Sequence, residues 1–311
     1  MSDDRLDIHS FQVRAGARDP LEGREPDDTR PFRSQEQAEA YLERQLGRLF
    51  ELQATLYADG RYALLLVLQA MDAAGKDSLI THVMRGLNPQ GTRVVPFKVP
   101  SDEDVAHDFL WRAAKVLPAK GEITVFNRSY YEEVLVVRVH PEWLDRQRLA
   151  RHLVTDRIWE ERYEDIRGFE RHLERGGTVV RKVFLHVSKA EQERRFLARL
   201  DDPSRNWKFS AGDLRERERW KEYMHAYREA LCATNTDHAP WYIVPADHKW
   251  MARAIVARML IETLESLDLR YPKLKPSQVA ELERAVEDLK GGRQASHRGA
   301  PTSSRTRTRR A

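Results

Sequence analysis

The fold is decided by Tyr62-Ala-Leu-Leu-Leu-Val-Leu68 and by the ten residues that follow it, Gln69-Ala-Met-Asp-Ala-Ala-Gly-Lys-Asp-Ser78. A continuous apolar run is typical of a strand that is covered on both faces of a parallel sheet. The residues after it predict a glycine-bearing loop and then a helix over about residues 77–87. Strand, loop and helix in this order form the context of a phosphate-binding loop.

The loop departs twice from the P-loop (Walker A) pattern G-x-x-x-x-G-K-[ST]. Ala70 replaces the first glycine, and Asp77 replaces the hydroxyl residue that would hold Mg²⁺. Asp72 adds a carboxylate, which we expect to bind Mg²⁺ or to orient a nucleophile. Taken alone, Gly75-Lys76 is also compatible with an ordinary helix start. The sequence context favours phosphate binding by the last six residues of the loop, Ala73, Ala74, Gly75, Lys76, Asp77 and Ser78.

Further short apolar runs alternate with helical patterns along the chain. The runs lie at residues 93–97, 123–126, 179–187 and 241–244, and the helical patterns at about 103–116, 146–175, 189–200, 213–233 and 249–267. This alternation predicts an α/β fold with a doubly wound parallel sheet. We expect an N-terminal arm at 1–34, a catalytic domain at 35–272, and a C-terminal helix with a basic disordered tail at 273–311.

The basic character of the chain is confined to its C-terminal tail. Residues 290–311 carry seven Lys or Arg residues and no acidic ones, so removing them from the net charge of +4 leaves −3 on residues 1–289. A segment of this composition is predicted to be disordered. It could bind RNA or another polyanion weakly; the alternative is a solvated tail without a specific partner.

Composition also narrows the class of protein. Cys232 is the single cysteine, which excludes an intrachain disulfide and a multi-cysteine metal site. The longest apolar run, residues 63–68, is far shorter than the roughly 20 residues that span a bilayer. The N-terminal residues are acidic and lack the apolar stretch of a secretory signal. We therefore expect a cytoplasmic protein with no membrane contact.

Two more loops follow predicted strands, where ligands bind in open parallel sheets. One loop, residues 98–104, begins with Lys98; the other is Asn127-Arg-Ser-Tyr-Tyr-Glu-Glu133. Arg128 suits a phosphate because its guanidinium can hold two oxygens. Asn127 is neutral, so Glu132 or the carboxylate in the phosphate loop must supply charge for a metal. The alternative for Glu132 and Glu133 is a solvated helix start.

A charged segment between residues 200 and 233 is predicted to form a lid over an anionic donor, at about 201–233. Trp207 could stack on a base or simply anchor the loop. The cations of this segment are Arg205, Lys208, Arg215, Arg217, Arg219 and Lys221.

Seven segments together resemble the polyphosphate kinase 2 family over about residues 35–270. They are residues 69–78, Asn88-Pro-Gln-Gly91, Phe97-Lys-Val-Pro100, Asp108-Phe-Leu-Trp-Arg112, residues 126–140, Leu200-Asp-Asp-Pro203 and Asn206-Trp-Lys-Phe-Ser210. The resemblance implies a P-loop kinase-like α/β/α core with a helical lid, Mg²⁺ dependence (with Mn²⁺ as a substitute), and a homo-oligomer. It also implies reversible phosphoryl transfer between inorganic polyphosphate and the adenine nucleotides AMP, ADP and ATP.

The resemblance also assigns roles to residues. Asp72, Lys76, Arg128 and Lys208 match positions that the family uses for catalysis or phosphate binding. Nucleotide contacts are expected from Asp72, Lys98, Asn127 and Glu132, and metal contacts from Asp72 and Glu132. Asn127 and Glu132 stand where other branches carry Asp and Asn, which resembles the branch that accepts both AMP and ADP.

Two other functions remain open from the residues alone. A nucleoside monophosphate kinase with ATP as donor could use the same core. A polyanion-binding protein without turnover could use the basic tail and lid, although a carboxylate in the phosphate loop would then serve no purpose.

Overall fold

A computed structural model describes residues 6–204, 206 and 211–298, with the backbone alone at 211 and 291–298. The described part of the chain contains one sheet of five parallel strands in the order β2-β3-β1-β4-β5. The strands are β1 (Ala63–Ala70), β2 (Thr92–Pro96), β3 (Ile123–Asn127), β4 (Thr178–His186) and β5 (Trp241–Pro245). The predicted α/β fold is confirmed, and each of these strands was expected within two residues of its bounds.

Helices connect the strands and cover both faces of the sheet. Their bounds are α1 (Gln35–Asp59), α2 (Lys76–Val83), α3 (Asp102–Val105), α4 (Trp111–Ala114), α5 (Glu132–Val139), α6 (Ile158–Arg175), α7 (Lys189–Leu200), α8 (Ala211–Glu218), α9 (Trp220–Thr234), α10 (Lys249–Glu265) and α11 (Pro276–Arg298). Helices α1, α2 and α10 pack together, as do α5, α6 and α9. The chain divides into two compact units, Met1–Arg270 and Tyr271–Ala311, and the sheet lies in the first.

Strand β1 forms the centre of the core. All eight of its residues are buried, and it pairs with β3 on one side and β4 on the other. Leu, Val and Ala side chains therefore pack against helices on both faces, as the unbroken apolar run predicts. At the sheet edge, β2 is only half-buried. Because β1 and β3 are neighbouring parallel strands, their carboxyl ends lie side by side at one edge of the sheet.

The N-terminal arm packs onto the rest of the first unit. Leu6, Ile8 and Val13 are buried, and Gln12 forms an antiparallel bridge with Tyr242 of β5. A short 3₁₀ helix, Ile8–Phe11, is the regular element of this segment.

Three predicted helices are interrupted. The stretch 103–116 forms only the single turns α3 and α4, because Asp108 accepts hydrogen bonds from the backbone N–H groups of Leu110 and Trp111 and starts a new turn. The stretch 146–175 becomes helical only at α6, since Arg148 adopts a left-handed φ of 55°. The stretch 213–233 divides between α8 and α9 at Arg219, whose ψ of 20° is not helical.

The C-terminal helix is longer than the composition predicts. Helix α11 continues to Arg298 and so includes residues 290–298, which were expected to be disordered. The rest of the predicted tail, residues 299–311, lies outside the described residues. No helix in the described ranges is both long and apolar enough to cross a bilayer.

Candidate active site

The phosphate loop leaves the end of β1 and enters α2. Gly75 forms the N-cap of α2 with φ of 107°, a left-handed conformation that a side chain at this position would strain. Ala73 also has a positive φ, 59°. Lys76 is the first residue of the helix, and its Nζ donates a hydrogen bond across the loop to the carbonyl oxygen of Ala70 at 3.1 Å. The loop thus curls around its lysine, at the positive end of a helix.

The environment of Lys76 weakens its proton affinity. Burial, and after it the charge of Arg128, lowers the pKa of its ammonium group to about 8. The carboxylates of Asp72, Glu132 and Asp77 act in the opposite direction. A lysine in this state gains from an anionic partner, since a bound phosphate would stabilise its charged form.

Helix α7 braces the phosphate loop from outside. Arg195 donates to the carbonyl oxygens of Ala73 at 3.1 Å and Ala74 at 2.6 Å, and its side chain is buried. Gln192 donates to the carbonyl oxygen of Asp72 at 2.9 Å. Because their carbonyl groups are held by α7, these residues keep the loop in its curled shape.

Arg128 follows β3 and lies between two carboxylates. Its guanidinium is 2.6 Å from Asp72 Oδ1 and 3.2 Å from Glu132 Oε2. Like Ala73 it has a positive φ, 64°, which is costly for a residue with a side chain and is a feature of functional sites. The charge of Glu132, followed by that of Asp72, raises the pKa of Arg128. The structure therefore brings together three of the residues that the sequence predicts to be catalytic or metal-binding.

Asn127, Asp77 and Ser78 make contacts within the protein. The Asn127 amide donates to Asp77 Oδ1 at 2.9 Å and so ties the two loops together. Arg253 of α10 donates to the Ser78 hydroxyl at 2.8 Å. The contact with Asp77 places Asn127 beside the phosphate loop, to which Asp77 and Ser78 belong.

Two carboxylates, Asp72 and Glu132, are available for a divalent cation. In the ranges that the structure covers, no three His, Cys, Asp or Glu side chains cluster in a way that could hold a metal ion. Mg²⁺ is commonly bound by one or two carboxylates together with phosphates and water, not by a cage of protein ligands. The pair next to a phosphate loop therefore fits Mg²⁺ that is brought with a phosphate substrate.

A cavity of about 840 Å³ opens beside Arg128 and Glu132. Exposed Lys98 lies at its rim, and Phe109 and Val136 contribute apolar surface. The volume and the mixture of charged and apolar lining suit a nucleotide-sized ligand.

Glu133 also lines this cavity but is not a solvated helix-start residue. Its side chain is buried, and its carboxylate lies 2.8 Å from the guanidinium of Arg162. Burial raises the pKa of Glu133, which Arg162 opposes. Gln147 donates to the same carboxylate and accepts from Arg162. The solvated alternative is therefore wrong for Glu133, which helps to form the wall of the cavity.

Helices α8 and α9 lie over the other side of the site. Tyr223 and Tyr227 of α9 and Arg217 of α8 share a small cavity of about 30 Å³ with Asp72 and Arg128. Arg217 donates to the carbonyl oxygen of Lys189 and to Gln192, both at 2.8 Å, so it fixes α8 to α7. Lys208, Arg205 and Trp207, which the sequence places in the predicted lid, lie outside the described residues.

A buried polar network anchors the loop that carries Arg128. Lys182 of β4 and Glu170 of α6 form an ion pair at 2.6 Å, and both side chains are fully buried. Tyr130 and Tyr131, which follow Arg128 and Ser129, each donate their hydroxyl to Glu170. Lys182 also donates to the carbonyl oxygen of Thr234, the last residue of α9. The network thus joins the Arg128 loop to the helix that covers the site.

Sequence reasoning missed several residues of the site. Gln192, Arg195 and Tyr227 contact or face the two loops, but each lies inside an ordinary amphipathic helix pattern. Gln69 was predicted only as the first residue of the loop, with no role of its own, although its amide donates to Ser129 at 3.1 Å. No local signal marks these residues, because their role depends on contacts distant in sequence.

Comparison with known proteins assigns the family. The family described as polyphosphate kinase 2 matches residues 32–272. An ADP-polyphosphate phosphotransferase of Rhodopseudomonas palustris is 49% identical, over 91% of this chain and 99% of its own. An AMP/ADP-polyphosphate phosphotransferase of Meiothermus ruber is 45% identical, over 86% of this chain and 96% of its own.

Solved structures agree with this assignment. The crystal structure of polyphosphate kinase 2 from Arthrobacter aurescens TC1 superimposes with a TM-score of 0.83 at 42% identity, covering 91% of this chain and 98% of that chain. The family segment, residues 32–272, spans all five strands and the two loops described above. The chain belongs to the polyphosphate kinase 2 family.

Proposed function

We propose that this protein transfers the terminal phosphate of inorganic polyphosphate to AMP and ADP, reversibly and with Mg²⁺. One observation carries the proposal: Arg128 lies between the carboxylates of Asp72 and Glu132, at the mouth of a phosphate loop and beside a nucleotide-sized cavity. Two phosphate-bearing substrates can meet there. The names of the relatives from R. palustris and M. ruber support the same chemistry.

The reaction is an in-line displacement at the terminal phosphorus of polyphosphate. A phosphate oxygen of the nucleotide forms the new O–P bond, while the bridging P–O bond to the rest of the chain breaks. The electron pair of that bond leaves with the shortened polyphosphate. The attacking oxygen is already anionic near neutral pH, so the main barrier is repulsion between two polyanions, and catalysis rests on neutralisation and alignment.

The residues divide these tasks. Lys76 and the backbone of Ala73–Ser78 would hold the donor phosphates, with Lys208 contributing from the predicted lid. Arg128 would contact the phosphate groups of the two substrates as they approach each other. Asp72 and Glu132 would hold Mg²⁺, or Mn²⁺, which neutralises phosphate charge when bound. Lys98 and Asn127 would contact the nucleotide, Lys98 from the rim of the cavity.

The expectation that both AMP and ADP are accepted rests on two residues in the loop after β3. Asn127 and Glu132 occupy positions at which branches of the family differ, and the relative named for both AMP and ADP supports acceptance of both. The proposal therefore includes conversion of AMP through ADP to ATP. It also includes a cytoplasmic location and assembly of identical subunits.

One assay tests the proposal. The purified full chain is incubated with AMP, Mg²⁺ and polyphosphate in the absence of ATP, and nucleotide products are separated by chromatography. We expect ADP first and ATP later. The assay is repeated with ADP and with GDP, and omission of polyphosphate is the matched control.

The rival functions give different results in the same assay. An ATP-dependent nucleoside monophosphate kinase would form no product until ATP was added. A polyanion-binding protein would retain polyphosphate without changing the nucleotide. Either result would overturn the proposed function.

A further inference from the structure

Helix α10 lies against the phosphate loop and brings an arginine to it. The first residue of the helix, Lys249, is so close to Gly75 that a β-carbon on this glycine would lie 3.8 Å from Cγ of the lysine. One turn further along α10, Arg253 donates from Nη2 to the hydroxyl oxygen of Ser78 at 2.8 Å. The two contacts hold the start of α10 alongside the start of α2.

Arg253 has no counter-ion among the residues that the structure describes. The charge of Glu39 acts on it only from a distance, without forming an ion pair. The guanidinium is half-buried, and its Nε is enclosed by protein without an acceptor. Burial consequently lowers the pKa of Arg253.

Stability alone does not account for an arginine in these surroundings. A charge that loses water without gaining a counter-ion destabilises the folded protein, and so does an enclosed donor without an acceptor. A neutral side chain could join α10 to α2 without either penalty. The missing negative charge is one that an anion at the phosphate loop would supply.

The hydrogen bond from Arg253 decides what the Ser78 hydroxyl can offer to a ligand. A guanidinium only donates, so it occupies a lone pair of the Ser78 oxygen and leaves the hydroxyl proton free. No acceptor for this proton is found in the described ranges. An oxygen that already faces one cation is a poor ligand for a second, because the two positive charges repel each other. Ser78 is therefore suited to donate to a phosphate oxygen rather than to hold Mg²⁺.

We propose that Arg253 is a positioning residue for the phosphate donor, which orients the Ser78 hydroxyl so that its proton is donated to polyphosphate. Ser78 is the third residue of α2, where backbone N–H groups and the helix dipole also favour an anion. The bound phosphate then supplies the negative charge that Arg253 lacks. The identity of the anion rests on the proposed function.

Isothermal titration of the full chain with polyphosphate, with Mg²⁺ present and nucleotide absent, tests this role. Arg253→Met and Ser78→Ala should each raise the dissociation constant for polyphosphate about tenfold, since each removes a hydrogen bond to a charged group or its orientation. The double variant should raise it no further than Ser78→Ala alone, because Arg253 acts through the hydroxyl.

Arg258→Met is the matched control. Arg258 lies on the same helix but pairs with Glu262 at 2.8 Å, so its loss should leave polyphosphate binding unchanged. The dissociation constant for AMP, titrated separately, should stay the same in every variant. Thermal unfolding followed by circular dichroism confirms that the variants are folded.

Three results would overturn the inference. The first is unchanged polyphosphate binding in a folded Arg253→Met protein. The second is an equal loss of affinity for AMP and polyphosphate, as a general loosening of the site would cause. The third is a double variant whose loss is the product of the two single losses, which would mean that Arg253 does not act through Ser78. Failure of the original chain to transfer phosphate would contradict the proposed function only, since these affinities are measured without turnover.

Discussion

Asp72 is the residue whose replacement has the clearest expected effect. Its carboxylate lies in the phosphate loop, 2.6 Å from Arg128. Asp72→Asn keeps the shape of the side chain but removes the charge that pairs with Arg128 and that, as proposed, would hold a cation. We expect kcat for ADP formation from AMP and polyphosphate to fall by roughly 10²–10³-fold.

The fold should survive this change, because Asp72 is partly exposed and its backbone carbonyl remains held by Gln192. Thermal unfolding followed by circular dichroism provides the check. Near-normal turnover in a well-folded Asp72→Asn protein would remove this residue from the mechanism.

Lys76 should give the reaction a pH dependence. With a pKa of about 8 in the free enzyme, its side chain is charged below pH 8 and becomes neutral above it. Polyphosphate binds better to the charged form, so kcat/KM for polyphosphate should decline as the pH rises through about 8. Initial rates at low polyphosphate concentration, from pH 6 to 10 in about half-unit steps, measure this decline.

The variant Lys76→Arg is the control for this assignment. A guanidinium stays charged over the whole range, so the decline near pH 8 should disappear even if the rate is lower throughout. An unchanged decline in Lys76→Arg would mean that another group titrates.

Among the elements, those marked by local sequence were predictable. Each strand coincides with an apolar run, and the side chains of Ser34 and Ser188 cap α1 and α7 by accepting from the backbone N–H three residues later. The turns at Asp108 and Arg148 were not predictable, since helical periodicity continues through both positions. A side-chain hydrogen bond in one case and a left-handed backbone in the other override the periodicity.

The residues of the two loops of the site could be predicted from the sequence. The residues on other elements that hold those loops in place could not. Asp72, Lys76 and Arg128 stand at strand ends in a recognisable order, so the topology rule for parallel sheets brings them together. Arg195 instead supports the loop from the middle of α7, 121 and 122 residues away from the carbonyl groups it holds. Such a contact depends on the packing of α7 and leaves no trace in local spacing.

The buried network behind the Arg128 loop should contribute to stability. Glu170→Gln leaves Lys182 charged and buried without its counter-ion. Breaking a buried ion pair on one side costs about 3–5 kcal/mol. We expect the free energy of unfolding, measured by urea titration, to fall by about that amount.

Two further variants test whether the charge is responsible. Tyr131→Phe removes one hydroxyl of the network and should cost only about 1–2 kcal/mol. The double variant Lys182→Met/Glu170→Gln removes both charges and should be more stable than Glu170→Gln alone. A Glu170→Gln protein as stable as the original would show that the pair is dispensable.

At the level of the whole molecule, catalysis should be independent of the C-terminal end. The described residues of the proposed site lie within Met1–Arg270. A chain ending at Leu289 should therefore keep its kcat with AMP and polyphosphate.

The comparison is made by steady-state kinetics on the full and shortened chains at equal subunit concentration. A chain ending at Arg298, which keeps all of α11, is the matched control. A large loss of kcat in the shorter chain alone would mean that residues 290–298 contribute to the site.

The position of Arg128 between two carboxylates also makes the site selective in its uptake of anions. With Lys76 included, two positive and two negative side chains nearly cancel, so a lone polyanion meets little net attraction. A divalent cation held by the two carboxylates would release Arg128 for phosphate. Cation and polyphosphate affinities should then increase one another by the same factor, as thermodynamic reciprocity requires. The enzyme would thereby ignore metal-free anions in a crowded solution and respond to the metal-loaded ones.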